Sequence, residues 1–481
     1  SHADDGLGSD DARRRAAPNL VTQGITTVVV NPDGFGPWPL SGQREKLERA
    51  GVGPNVALMA GHNTIRRRTL GENYRREASA DEIARMKRLV REGMEAGAFG
   101  LSAGLEYVPG IWSTTEELIA LVEEIVPFGG VYIAHQRSES TEPRWYLASR
   151  HPKGLPTLLD ATRETIEIAE KTGARVVCTH LKAMGAHYWG TSGAAIRLIE
   201  RARSRGLDVW ADQYPYHSTG GDGTMVLIPG WAAGVDPLAG EARPGAKDYA
   251  AALRKTMEDP EQASGVRRDI AHEMSRRGGP ENIVVFDHPD KSFVGRSLDH
   301  LAAARGIGPV EMALQLQYEG YRDRLGGARL RGFSVWEQDL KALMAQPWMA
   351  TSTDAGIALP EDGPVHARFY GSYPRKLRRY ALGDSVIRLE DAIRSSTSLP
   401  ALILGLRDRG LLRAGFWADL VVIDLNNLQD KATFTDPHQY SEGVELVLVN
   451  GQAVVDSGRP TGALAGKVLE LTPPAGRSAR R

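Results

Sequence analysis

The 481-residue chain holds one cysteine, Cys178. An internal disulfide is therefore excluded, and so is a zinc site built from several thiolates. Any metal must be held by His, Asp or Glu. Charge of one sign is also missing: 59 Lys and Arg stand against 60 Asp and Glu, a formal net charge of −1. That balance removes the usual electrostatic case for nucleic acid or an anionic membrane as partner. No apolar run approaches the ~18 residues of a membrane-spanning helix. Nor does a glycine-rich phosphate fingerprint follow any apolar run, which argues against dinucleotide binding. The opening Ser1-His2-Ala3-Asp4-Asp5 carries neither Met nor a signal-peptide pattern. It reads as the interior of a longer chain, and the cysteine-poor composition fits the cytoplasm.

What the chain has in plenty is alternation. Hydrophobic residues are 41% and charged residues 25%, an ordinary globular mixture. Short apolar runs, several ending at glycine, alternate with amphipathic stretches. Residues 25–30, 56–60, 98–102, 131–135, 175–180 and 207–212 read as buried strands. Helices are predicted between them, at 41–51, from 79 to about 97 behind a Ser79/Glu82 capping box, from 114 to 126, and at 157–172 and 192–205. Repeated β-then-α order predicts a parallel, buried sheet. The rhythm breaks near 215 and a strand returns at 348–353. With residues 1–3 as a cut first strand, the count is eight. The predicted fold is α/β, a (β/α)8 TIM-like barrel over 1–214 and 346–410. Residues 215–345 are expected to be an insertion forming a lid over the barrel mouth. Residues 411–470 read as part of a small β domain, with Asn450-Gly451 as a tight hairpin, and 471–481 as a loose tail.

In such a barrel the reactive groups sit at the C-terminal ends of the strands. His2, Asp33, His62, His135, His180 and Asp354 fall there. A lone strand-end His is usually a hydrogen-bonded loop residue. Several together point to imidazoles converging on one metal. Asp33 lies in Asn31-Pro32-Asp33-Gly34, where turn chemistry explains it as well as ligation does. Glu106 is either a bridging carboxylate or a loop residue beside Tyr107. His217 is a further candidate without a matching motif, and His288 reads as a loop residue of the insertion.

The order of strand-end His, His, His and Asp resembles the amidohydrolase superfamily. More closely, the chain is similar to the N-acyl-D-amino-acid deacylases, or D-aminoacylases. The matching segments are 24–30 (GITTVVV), 61–66 (GHNTIR), 76–83 (REASADEI), 97–110 (GAFGLSAGLEYVPG), 134–139 (AHQRSE), 179–185 (THLKAMG), 212–216 (DQYPY), 352–355 (STDA), 366–375 (HARFYGSYPR), 415–423 (GFWADLVVI) and 449–454 (VNGQAV). The resemblance runs over most of the chain and is weakest between about 220 and 345.

The resemblance implies zinc, one ion tightly bound and a second position open. His135 and His180 match the two His of the tight site, and His2 the second His of a first-strand pair whose first member would precede Ser1. Asp354 matches the general base that also touches metal. Asp33 stands where the family often has Cys; it or Glu106 is the carboxylate expected to ligate or bridge in its place. Lys182, Tyr214 and Arg368 match substrate contacts, Arg368 being the partner of the α-carboxylate; His62 is a further candidate for substrate binding. The implied activity is hydrolysis of a small N-acyl-D-amino acid to a carboxylate and a D-amino acid. The alternatives are a cyclic amidase of the hydantoinase or dihydroorotase type, which usually uses a carboxylated lysine that no matched position offers, and a binding protein with a decayed site.

Overall fold

The computed structural model describes residues 1–220, 225–235 and 248–472. Seven strands of β-branched and small residues run in one direction: β1 (Thr27–Val30), β2 (Asn55–Leu58), β3 (Ala60–Gly61), β4 (Gly100–Gly104), β5 (Val131–His135), β6 (Arg175–Cys178) and β7 (Val209–Gln213). Strands β8 (Ile283–Asp287) and β9 (Arg329–Gly332) follow in the insertion, then β10 (Met349–Thr351). β1 pairs in parallel with β2, and a six-stranded parallel sheet runs β10-β7-β6-β5-β4-β3. Only Met59 separates β2 from β3, so the two sheets are consecutive arcs of one ring. The first residues close it. Ser1 donates to the Val29 carbonyl (3.0 Å), and the His2 backbone N–H donates to Ala355 (2.9 Å). Residues 1–3 thus take the first-strand position between β1 and β10, and with β2 and β3 as one interrupted strand the ring has the eight positions expected of the barrel.

Helices follow the strands as the sequence predicts. Ala80–Glu95 begins at Ser79 with a complete capping box, and Leu158–Thr172 begins at Thr157 with another. The barrel core is the apolar filling of the strands, among them Val56, Leu101, Tyr132, Val176 and Ala211. Small residues let the rim close tightly. A Cβ on Gly104 would lie 2.1 Å from the Asp33 carbonyl, so the turn carrying Asp33 can press on the end of β4 only because residue 104 is glycine.

The insertion has a core of its own, centred on Leu253, Val266, Ile270, Val285 and Leu330 beneath an antiparallel β8–β9 pair. It is anchored to the loop after β5. Asp269 accepts from the Ser149 N–H (2.7 Å), and Arg276 donates to the carbonyls of Pro143 and Arg144. This places it on the C-terminal side of the ring. At the C-terminus β11 (Leu420–Ile423), β12 (Val444–Val449) and β13 (Gln452–Asp456) form an antiparallel sheet. Its hairpin turn has positive φ at both Asn450 and Gly451, as a tight primed turn requires. Most of the tail expected at 471–481 lies outside the described residues. Among the described residues, no helix is long and apolar enough to cross a membrane.

One buried cation has only hydroxyl partners. Lys376 donates to Thr351 on β10 (2.7 Å) and to Ser395 (2.9 Å), and among the described residues no carboxylate pairs with it. Burial pushes its ammonium down to about 7 from an ordinary value of 10.5. Between those values the unfolded chain holds a proton that the folded one releases, so this group's contribution to stability rises with pH. Lys376→Met removes the term. Denaturant melts at pH 6.5 and pH 9 should show the parent gaining on the order of 2 kcal/mol relative to the variant. Parallel pH profiles would show that Lys376 is not the source.

Candidate metal centre and active site

The site is built at the ends of strands. His135 is the last residue of β5, His180 follows β6 across Thr179, and Asp354 follows β10. Asp33 lies in the turn after β1, and His2 beside Gly356 at the ring closure. Three of these residues, Asp33, His180 and Asp354, have φ of 55°, 38° and 50°. Left-handed backbone in non-glycine residues costs on the order of 1–3 kcal/mol and clusters at functional sites. At His180 the anchor is Asp212 on β7, which accepts from the His180 N–H (3.0 Å) and from the Thr179 hydroxyl (2.6 Å).

The side chains converge. His135 Nδ1 and His180 Nε2 face each other at 2.9 Å. Asp33 Oδ2 is 3.8 Å from the first and its Oδ1 3.9 Å from the second. His2 Nε2 lies 3.0 Å from Asp354 Oδ1 and 3.6 Å from Asp33 Oδ2. Two further carboxylates stand behind the imidazoles. Glu106 Oε2 is 3.1 Å from His135 Nε2, and Glu139 Oε1 is 2.9 Å from His180 Nδ1. Among the described residues, two groups of donors are close enough to share an ion: Asp33, His135 and His180, and Glu106, His135 and Glu139. All are nitrogen or oxygen donors, the set that a site without thiolates needs. Cys178 is buried in β6, its thiol pushed up to about 12 by burial, and lies outside both groups.

The electrostatics suit a cation. Burial alone would raise the Asp33 carboxyl, but His135, His180 and His2 bring it down to about 2. Burial is likewise outweighed at Asp354, by Arg368, His180 and His2, and at Glu139, by Lys182 and the two imidazoles; both carboxyls stay well below the usual range. At His180, burial and Lys182 press the imidazole down. The carboxylates of Glu139, Asp354 and Asp33 overcome them and favour positive charge.

A cavity of about 640 Å³ opens over this cluster. Lys182, Tyr214 and Arg368 line it with the five strand-end residues. Arg368 Nη1 donates to Asp354 Oδ2 (2.7 Å), and its guanidinium lies over the Tyr214 ring at 4.6 Å. Among the described residues, Arg368 Nε and the Tyr214 hydroxyl are buried without a hydrogen-bond partner, as are donors that await a ligand. Lys182 is ion-paired with Glu139. The insertion supplies an apolar strip to the wall, from Met225 to Pro229.

His62 stands apart. It opens the helix His62–Leu70, is fully buried, and bonds to Glu117 at 2.8 Å within a cluster that includes Arg66. It is not among the residues that line the cavity, where a substrate contact would be expected: the strand ends at Gly61, and the helix turns His62 into the core. His217 stacks on Phe333, and His288 stacks on Phe293 in the buried core of the insertion. Glu139, which backs His180, and Asp212, which clamps its turn, are not among the candidates that the sequence marks. Both lie inside matched segments, AHQRSE and DQYPY, which was the available signal.

The chain is similar to proteins of known activity over nearly all its length. A family model described as the amidohydrolase family matches residues 250–455, including much of the insertion. D-aminoacylase of Alcaligenes xylosoxydans xylosoxydans is 30% identical over 485 residues, covering 96% of this chain and 84% of the relative. N-acyl-D-glutamate deacylase of the same organism is 30% identical, covering 94% and 83%. Among solved structures, a D-aminoacylase crystal structure superposes with a TM-score of 0.69 at 28% identity, covering 98% of this chain and 87% of that one. N-acyl-D-glutamate deacylase of Bordetella bronchiseptica, complexed with zinc and a phosphonate inhibitor, gives 0.69 at 26% identity with the same coverage. With a closed eight-position barrel, imidazoles and carboxylates converging at its rim, and these relatives spanning it end to end, the chain belongs to the D-aminoacylase family of amidohydrolases.

Proposed function

We propose that this protein hydrolyses the amide bond of N-acyl-D-amino acids at a zinc site held by His135, His180 and Asp33, with His2 and Asp354 beside it. The observation that carries the reading is the convergence of His135 Nδ1, His180 Nε2 and Asp33 beneath a cavity that Arg368 also lines, in a chain 30% identical to a D-aminoacylase. Zinc held there would polarise a carbonyl oxygen and lower the pKa of its water toward 7. The buried pair of imidazoles with Asp33 is the tight position. The second, His2 with Asp354, is weaker, because the His2 side chain is 42% exposed and Asp354 is shared with Arg368.

The protein's own groups do the rest. Asp354 takes the proton of the attacking water through Oδ1 or Oδ2 and returns it to the leaving nitrogen. Arg368, with its unpartnered Nε, and the Tyr214 hydroxyl hold the α-carboxylate. Three fixed points around the α-carbon then separate the enantiomers: the carboxylate at Arg368, the amide at the metal cluster, and the side chain in the remaining cavity. The insertion acts as a cap whose Met225–Pro229 strip shuts water from the acyl group. A cyclic-amidase reading is not favoured, since Lys182, the lysine beside the imidazoles among the described residues, is committed to Glu139, and the relatives are named D-aminoacylase and N-acyl-D-glutamate deacylase. The partner is a small molecule rather than nucleic acid, in keeping with the balanced charge, and a single reduced, buried thiol fits the cytoplasm.

Two measurements test this. His180→Ala should remove most bound zinc and most activity on N-acetyl-D-amino acids; zinc content equal to the parent's would sink the assignment. Arg368→Lys keeps the charge but loses the planar fork. It should cost roughly 1.5–3 kcal/mol, or about 10- to 150-fold in kcat/KM, on N-acyl-D-amino acids. An amide lacking the α-carboxylate should be a poor substrate that is indifferent to the change. Equal losses on both substrates would make Arg368 structural.

A further inference from the structure

We propose that Glu106 and Glu139 are positioning residues that lock the two imidazole ligands in opposite tautomers, and that Glu139 also keeps Lys182 from reversing one of them. The inference rests on the zinc reading above.

A neutral imidazole has one lone pair, and the bond made by one ring nitrogen decides whether the other is free for a metal. A carboxylate only accepts. Glu106 Oε2 lies 3.1 Å from His135 Nε2, so that nitrogen carries the proton and Nδ1 is left free. Glu139 Oε1 lies 2.9 Å from His180 Nδ1, so the neutral ring that a metal requires keeps its proton on Nδ1 and offers Nε2. The two free nitrogens are the pair that face each other at 2.9 Å, with Asp33 near both. One ring is read through Nδ1 and the other through Nε2, and each is held from behind by a buried acid.

Glu106 is not free to bridge. Its other oxygen, Oε1, accepts from the Arg144 N–H at 2.8 Å, so one oxygen is fixed to the backbone and the other to His135. The bridging role weighed for Glu106 from the sequence thus gives way to orientation of His135.

Glu139 has a harder task. Lys182 Nζ is 3.0 Å from the same His180 Nδ1 and 2.9 Å from the His180 carbonyl, and it is paired with Glu139. An ammonium only donates. If it donated to Nδ1, the ring proton would move to Nε2 and point N–H at the metal. Glu139 engages both the Lys182 ammonium and the Nδ1 proton. Lys182 therefore stays beside the site without selecting the wrong tautomer.

The test is zinc affinity by chelator competition on the full chain, with circular dichroism to confirm folding. Glu106→Gln and Glu139→Gln should each bind zinc roughly 10- to 100-fold more weakly than the parent, with Glu139→Gln the weaker. Adding Lys182→Met to Glu139→Gln should restore affinity about 10-fold or more, whereas adding it to Glu106→Gln should change nothing. Ring spectra of 15N-histidine-labelled, zinc-loaded parent should show His135 protonated at Nε2 and His180 at Nδ1. Parent-like affinity in both variants, no rescue by Lys182→Met, or the reverse tautomers would overturn the proposal. So would loss of one of two bound ions in either variant, which would make Glu106 and Glu139 ligands of their own ion. If Glu139→Gln fails to fold, the Glu106→Gln arm and the parent spectra decide. A parent that binds no zinc at all would fail the functional reading instead.

Discussion

Four carboxylates, those of Asp33, Glu106, Glu139 and Asp354, meet at the rim of a closed barrel, all buried or nearly so. Isolated ionised carboxylates in that position cost several kcal/mol each, and the structure must answer every one with a cation or a donor. It does so residue by residue. Arg368 meets Asp354, Lys182 meets Glu139, and the Arg144 N–H and His135 share Glu106. Among the described residues, the groups paired with Asp33 are the imidazoles of His2, His135 and His180. Three imidazoles rather than a fixed cation thus offset the acid nearest the two facing ring nitrogens, and they bring its carboxyl down to about 2.

That electrostatic demand explains the backbone. Asp33, His180 and Asp354 adopt left-handed φ values that ordinary loops avoid. Each turns its side chain back over the mouth of the ring instead of outward with the next helix. The strain is held by neighbouring strands: Asp212 clamps the His180 turn from β7, and Gly104 gives the Asp33 turn room against β4. The barrel is stiff enough to hold these turns because its strands are filled with Val, Ile, Leu and Ala on both sides.

The same stiffness made much of the site legible in the sequence. β-branched runs ending in His or Asp are local patterns, and a parallel barrel converts the end of each run into one rim. His135, His180 and Asp354 could therefore be placed by reading along the chain. Contacts made by chain folding back could not. Glu139 reaches His180 from the loop after β5, a contact between neighbouring strand ends for which its place inside the AHQRSE segment is the one signal. His62 shows the opposite error: it follows a strand, but the helix begins at that residue and buries the ring against Glu117. The insertion hid its core because helices such as Pro260–Arg276 are heavily charged on their outer faces, while Val266 and Ile270 carry the packing.

Asp33 is a carboxylate in a site without thiolates, and its chemistry sets the character of the site. A thiolate offers one soft atom, whereas a carboxylate offers two hard ones that can face different directions. Here Oδ1 turns to His180 and Oδ2 to both His135 and His2. Asp33 thus spans the gap between the paired imidazoles and the His2–Asp354 pair with a single side chain. The first of these half-sites is buried and backed by two acids. The second is open to solvent at His2 and committed to Arg368 at Asp354. Solvent screening and a competing guanidinium would both weaken the hold of His2 and Asp354 on a cation. The asymmetry therefore lies in the surroundings of the two half-sites rather than in Asp33, which serves both.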